Sequence, residues 1–515
     1  MAIKRLKAWL LSATIICIVL YFTRERSHYT LPEAARPRPV APAVVAPAAD
    51  AASNTGPPRS RTTFAAMKLP QSPGAKVNSE AHKLAWADDF LPHLAAVAKL
   101  PGITLAQARK TCTWGPADKV DFQFDEKADW VVRDRPEDEV EAKRREWRQF
   151  VREGMIPYGA VQHRFTNQRG LVVLAGNQDT FKRVGLLLRA LQRVRSRVAI
   201  EVHYYGEAEM TEQHRQSLST VWPRIFFNDL SSDDNILRVQ KDRPFINYQL
   251  KTAALVNSRF QEPLLVDADN IPVLDPDELW ESAAYQSHGT VFWPDIARTY
   301  PQDPAWAITN TQCRMDEYEL ESGQLLVDKR RYWYHLQLAA WWATEQGAYW
   351  DRILLGDKDL FRFAWHALRT DYGRPQRWLA SVGTLNKGFY CGHSFAQHHP
   401  DDARVAFLHG GLVKTVDLQV MRWNRDTQGG YYRHYKRAPS DEDPRVSVNV
   451  GIKFDGADYM DVPKGSGFRA AMCTDMYDVE ARDLNELIPM WEQTFGEIGG
   501  YWQLATDDGQ GGKPI

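Results

Sequence analysis

The tightest constraint on the fold is a strand–helix–strand pattern in the middle of the chain. "RGLVVLAG", from Arg169 or Gly170 to Gly176, is a nearly unbroken apolar run closed by small residues, as in a strand buried on both faces. "QDTFKRVGLLLRALQRV" follows with apolar residues at helical spacing, and "VAIEVHYYG" reads as a second strand. Two strands joined by one helix pair in parallel. Ligands of such sheets sit beyond the carboxyl ends of the strands. Ala175 and Gly176 mark one such end, where a nucleotide backbone could approach closely.

"RPFINYQLKTAALVNSRFQEPLLVDADN" repeats the pattern with a helix carrying Lys251, a strand, and then Asp267 and Asp269. Residues i and i+2 of an extended backbone face the same side, so both carboxylates can address one point beyond the sheet. Two carboxylates that close repel each other, and a hard divalent cation removes the penalty. Mg²⁺ or Mn²⁺ takes one or two carboxylates and completes its shell with water and substrate phosphate. Two other readings stand beside this one. A solvated turn carries the same residues, and phosphoaspartate hydrolases also place Asp-x-Asp after an apolar strand. In those hydrolases the motif follows the first strand, whereas here a complete strand–helix–strand unit precedes it, and Ile271 stands where they usually hold Thr or Val.

The 515 residues suffice for one large or two medium domains, and a formal charge of −1 gives no footprint for nucleic acid. Five Cys, with no Cys-x-x-Cys pair, argue against a disulfide scaffold or a structural zinc site. Lys4, Arg5 and Lys7 precede an uncharged apolar stretch from Ala8 to Phe22. It is short for a span, but no small-residue cleavage site follows, and Trp9, Tyr21 and Phe22 sit at its ends, where interfacial aromatics belong. The expectation is an uncleaved signal anchor (8–22) behind a cytosolic tail (1–7). A Pro/Ala-rich lumenal stem (23–80) then leads to a helical lead-in (81–168), a catalytic domain (169–505) and a flexible tail (506–515). In that layout Cys112, Cys313, Cys391 and Cys473 lie in an oxidising lumen, with three possible pairings into two disulfides.

Five blocks, "LLVDADNIPVLDPDELW", "GTVFWPDI", "ESGQLLVDK", "GDKDLFRFAW" and "FLHGG", occur in an order that resembles the fungal Golgi α-mannosyltransferases of glycosyltransferase family 71. The resemblance covers about half the chain, roughly Gly170 to Lys414. It implies an α/β nucleotide-sugar transferase fold of the GT-A type, a Rossmann-like mixed sheet flanked by helices. It also implies GDP-mannose as donor, a mannosylated glycan or glycoprotein as acceptor, Mn²⁺ (or Mg²⁺) as cofactor, retention of anomeric configuration, and a single-pass type II protein of the Golgi membrane.

Under the resemblance Asp267 and Asp269 match the metal pair, and Lys251 matches a basic position that meets donor phosphate. Gly170, Ala175 and Gly176 fall on the nucleotide side. In "YELESGQLLVDK", Glu321 is a carboxylate for the acceptor hydroxyl or an oxocarbenium-like sugar, and Ser322–Gly323 make a tight approach to the donor. "GDKD" places Asp357, Lys358 and Asp359 at a helix start, with Asp357 and Asp359 as sugar-binding or catalytic groups; the plainer reading of Asp357 is a helix cap. His409 is the candidate third metal ligand. His393, His398 and His399 read as loop residues. Trp293 and the tryptophans of "YWYHLQLAAWW" could stack on sugars, although core packing is their usual role. The other readings are a phosphohydrolase, a sugar-binding protein without turnover, and a transferase of the same fold using another nucleotide sugar.

Overall fold

The computed structural model describes residues 87–112, 135–241, 248–314, 316–354, 356–410, 418–438, 450–453, 473–477 and 479–507. The expected cytosolic tail, anchor and stem lie outside these residues, as does most of the expected C-terminal tail. No described helix is long and apolar enough to cross a membrane.

Seven strands set up the first half: β1 (Thr166–Leu174), β2 (Ala199–Tyr204), β3 (Ile225–Asp229), β4 (Phe260–Val266), β5 (Asn270–Pro272), β6 (Thr290–Pro294) and β7 (Leu320–Val327). Six of them form one mixed sheet in the order β3-β2-β1-β4-β7-β6. The first four pair in parallel, while β7 runs antiparallel to both β4 and β6. Side chains alternate across the sheet. Leu171 and Val173 enter one hydrophobic cluster and Val172 another, as do Leu264 and Val266 against Leu265. Both faces are therefore covered, which is why these strands read as continuous apolar runs.

The helices that position the site are α1 (Gln178–Arg193), α2 (Gln249–Asn257), α3 (Lys329–Thr344) and α4 (Lys358–Ala367). Asn177 caps α1 by accepting from the Thr180 backbone N–H at 2.9 Å, and Thr180 Oγ1 accepts from the Asn177 N–H at 3.0 Å. α3 packs on α2 and α4 with Trp333 and Trp342 fully buried, and Trp293 is buried against Phe407. These tryptophans serve the core and present no face to a sugar.

A second, antiparallel sheet follows: β8 (Ala380–Asn386), β9 (Phe389–His398), β10 (Val405–Gly410), β11 (His434–Lys436), β12 (Val450–Lys453), β13 (Cys473–Met476) and β14 (Arg482–Asp483). β10 pairs with β9 on one side and with the short β5 on the other, with His409 opposite Asn270. That pairing carries His409 to the aspartate turn. His393 and His398, expected in a loop, are buried in β9 instead. His393 stacks on Tyr431 at 3.7 Å, which gives the ring an apolar neighbour on its face. The cysteines pair as Cys112–Cys313 and Cys391–Cys473.

Candidate active site

The site forms where β4 ends. The chain turns immediately after Val266: Asp267 donates its N–H to the Gly323 carbonyl at 2.9 Å, and Asn270 donates its N–H to the Asp267 carbonyl at 3.0 Å. This turn presents Asp267, partly exposed, and Asp269, buried, to the end of β10. His409 Nε2 lies 3.6 Å from Asp267 Oδ2 and 3.3 Å from Asp269 Oδ1. One ligand atom from each of the three residues falls within 4.8 Å of the others.

This donor set fits a divalent cation. His409 Nε2 is buried and makes no hydrogen bond although it faces two carboxylates. One imidazole nitrogen with two carboxylates is a donor set compatible with a divalent metal ion.

Lys251, on α2, faces the same group. Its Nζ lies 2.9 Å from Asp267 Oδ1 and 3.3 Å from Asp357 Oδ2, and it donates to Ser322 Oγ at 3.2 Å. Burial opposes the Lys251 charge, but Asp267 and Asp357 outweigh it and hold the ammonium above its ordinary range. Burial opposes ionisation of Asp267 as well, yet Lys251 and His409 draw its carboxyl down to about 2. For Asp357 the balance goes the other way, and burial raises the carboxyl despite Lys251. Asp357 occupies the helix-cap position before α4 but makes no capping bond; its Oδ2 accepts instead from Ser322 Oγ at 3.2 Å. The plain cap reading therefore fails.

Glu321 is buried on β7 and fully engaged. Its Oε1 lies 2.9 Å from His409 Nδ1 and accepts the Gly323 N–H at 2.8 Å, while Oε2 accepts from Gln324 Nε2 at 2.7 Å. Gly323 is required here by shape: a Cβ at this position would lie 2.4 Å from His409 Cε1. Gly323 thus makes room for the imidazole, and its carbonyl ties down the aspartate turn.

Lys358 and Asp359, expected beside the donor sugar, turn elsewhere. Lys358 Nζ lies 2.7 Å from both Asp295 Oδ2 and Glu319 Oε2. Asp359 Oδ1 accepts from Arg362 Nε at 2.7 Å and from the Leu320 N–H at 3.3 Å. Arg362 also binds Glu317 Oε1 at 2.7 Å. Asp357, just outside the helix, meets Ser322, while Lys358 and Asp359 in its first turn join a second ion cluster with Asp295, Glu317, Glu319 and Arg362. Burial pushes the Asp359 carboxyl up to about 6 against the pull of Arg362.

Ala175 and Gly176 lie at the same edge of the sheet, one strand over, since Val173 pairs with Val266. The Gly176 N–H donates to Thr180 Oγ1 at 2.9 Å, and a Cβ there would lie 2.5 Å from Glu209 Oε2. This glycine relieves a contact with Glu209 within the protein. Gly170 packs on Phe260, 2.4 Å from where its Cβ would stand, and so serves β1–β4 packing.

Two residues of the site escaped the sequence reading. Asn270 Nδ2 donates to the Gly323 carbonyl and to Gln324 Oε1, both at 2.7 Å, which links the aspartate turn to β7. Both residues carried a signal: Asn270 follows "DAD" directly, and Gln324 is a polar residue inside the apolar run of β7.

Residues 168–319 match the family model described as "Mannosyltransferase putative". The α-1,2-mannosyltransferase MNN23 of Candida albicans is 25% identical over 286 residues, 45% of this chain and 46% of that protein. The α-1,2-mannosyltransferase MNN2 of the same organism is 20% identical over 407 residues, 67% of this chain and 65% of that protein. A shorter match, 44% over 59 residues, is to the α-1,2-mannosyltransferase MNN2 of Saccharomyces cerevisiae, 11% of this chain and 10% of that protein. The chain thus spans less than two thirds of each of these relatives. Among solved structures, the bifunctional glycosyltransferase WbbM aligns with a TM-score of 0.30 and 13% identity, over 40% of this chain and 39% of that one. The galactosyltransferase LgtC aligns with a TM-score of 0.28 and 16% identity, over 38% and 69%. The sequence matches fall on the same part of the chain as the motifs: residues 168–319 are similar to a mannosyltransferase family, and the relatives matched are named α-1,2-mannosyltransferases.

Proposed function

We propose that the chain is a metal-dependent retaining glycosyltransferase that moves mannose from GDP-mannose to a hydroxyl of a mannose-bearing glycan. The observation that carries the reading is the convergence of Asp267, Asp269 and His409 at the end of β4, with Lys251 and Asp357 directly beside them. Asp267, Asp269 and His409 would hold Mn²⁺, which when bound neutralises charge on the departing diphosphate. Lys251, beside Asp267 and Asp357, would meet the same phosphates. Asp357, held by Ser322 and Lys251, would accept hydrogen bonds from sugar hydroxyls. The α-donor and α-product imply retention, and the GT-A label follows from the same reading. Two disulfides among the described residues support an oxidising compartment and hence the Golgi lumen, with residues 8–22 as the membrane anchor.

The test is a donor panel: GDP-mannose, other GDP-sugars and UDP-sugars, each with an α-mannoside acceptor and Mn²⁺. NMR of the product would fix linkage and anomeric configuration. GDP-mannose is the predicted donor, with an α-linked product. Transfer from another nucleotide sugar alone would overturn the mannose assignment. Phosphate release from simple esters without sugar transfer would overturn the transferase.

A further inference from the structure

We infer that Glu321 is a positioning residue for the metal site, not a group that touches the acceptor or the sugar; the inference rests on the metal reading above. Glu321 Oε1 lies 2.9 Å from His409 Nδ1, and the other ring nitrogen is aimed between Asp267 and Asp269; with a metal on that nitrogen, Nδ1–H would donate to Glu321. A carboxylate on the far nitrogen fixes the tautomer and orientation of a ligating histidine and raises its basicity. Glu321 is itself fixed on both oxygens, by the Gly323 N–H at 2.8 Å and by Gln324 Nε2 at 2.7 Å. Gln324 Oε1 in turn accepts from Asn270 Nδ2 at 2.7 Å, and Asn270 opposes His409 across the β5–β10 pair. The chain His409–Glu321–Gln324–Asn270 therefore closes on the aspartate turn. It locks three ligands contributed by β10 and the β4–β5 turn into one geometry. Glu321 is 8% exposed, and both its oxygens are already engaged by protein donors.

The test measures Mn²⁺ binding by the full chain, with Mn²⁺ alone as probe, using electron paramagnetic resonance to count free ion. Glu321→Ala should weaken Mn²⁺ affinity ~10- to 100-fold, the usual cost of losing such a partner. Glu321→Gln, whose amide oxygen can still accept from Nδ1–H, should restore part of the loss. In transfer assays the apparent KM for Mn²⁺ should rise while kcat at saturating Mn²⁺ returns to within a few-fold of the unsubstituted chain. Wild-type Mn²⁺ affinity in Glu321→Ala, with kcat lost at saturating metal, would overturn the inference and make Glu321 catalytic. If Glu321→Ala fails to fold by circular dichroism, Glu321→Gln decides: a several-fold weaker affinity supports the role, and an unchanged one overturns it. No Mn²⁺ binding by the unsubstituted chain would sink the metal site itself. Unaltered binding in both variants would sink only the role of Glu321.

Discussion

At the scale of single residues, Gly323 and His398 make opposite demands on space and charge. Gly323→Ala places a methyl 2.4 Å from His409 Cε1, against the face of an imidazole held by Glu321. Overpacking of this kind costs about 1–3 kcal/mol, and here the ring would have to leave its position. Loss of Mn²⁺ binding together with a lowered melting temperature is the expected outcome, read by metal titration and calorimetry. His398 is fully buried with neither ring nitrogen hydrogen-bonded, and burial lowers it from 6.5 to about 3, with Arg437 and Arg377 acting in the same direction. The folded protein thus refuses a proton that the unfolded chain accepts. Stability is complete above pH 6.5 and falls as pH drops towards 3, by ~1.4 kcal/mol per unit for this group. Denaturant titrations of His398→Phe across that window should show an acid slope smaller by one proton. An unchanged slope would mean that the ring takes up a proton in the folded state. Asp267 and Asp269 were legible because an apolar run ending in charge is visible in one dimension, whereas Lys251, Asp357 and His409 were candidates through the resemblance, and the fold brings all five together. Sequence reading could not see that Glu321 faces His409 or that Lys358 faces Asp295. Those pairings depend on which way one strand residue and one helix residue point.

At the scale of elements, α4 is anchored by ions as well as by its apolar face. Arg362, within its second turn, binds Asp359 and Glu317, and all three side chains are buried. Burial opposes the Glu317 charge, but His366 and Arg362 hold its carboxyl well below the usual range. Arg362→Met keeps most of the volume and strands two carboxylates. A loss of about 3–5 kcal/mol is expected by chemical denaturation, since breaking a buried ion pair leaves an uncompensated charge. A loss under 1 kcal/mol would mean that the cluster is wetter than its burial implies. The parallel strands and helices of the first sheet are legible because both faces are apolar and the connections are local. The second sheet is not. β9 reads "FYCGHSFAQH", with Gly, His, Ser and Gln at positions that the fold buries, and although β8 and β10 adjoin it in sequence, β13 pairs with it from far along the chain. "GGYYRHYK" shows no sustained helical or alternating apolar pattern, yet Tyr431 and Tyr432 are core residues and His434–Lys436 is a strand.

At the scale of the whole molecule, two disulfides hold the described parts together. Cys112–Cys313 closes a separation of 201 residues and ties the helical lead-in to the segment before β7, while Cys391–Cys473 spans 82 residues and pins β13 to β9. Sequence allowed three pairings, and only the fold brings these partners together. Removing such a crosslink costs about 2–5 kcal/mol, so Cys391→Ser with Cys473→Ser should lower the melting temperature clearly. A melting temperature insensitive to that double change would mean that the second sheet holds without its bridge.

The most direct test of the central claim is GDP release from GDP-mannose by the full chain, with and without Mn²⁺ and an α-mannoside acceptor, beside Asp269→Ala. The account predicts release that requires Mn²⁺, rises with acceptor, and falls at least ~100-fold in the variant, as expected when several kcal/mol of metal-borne charge stabilisation are lost. Release that is indifferent to Mn²⁺, or equal in Asp269→Ala, would contradict it.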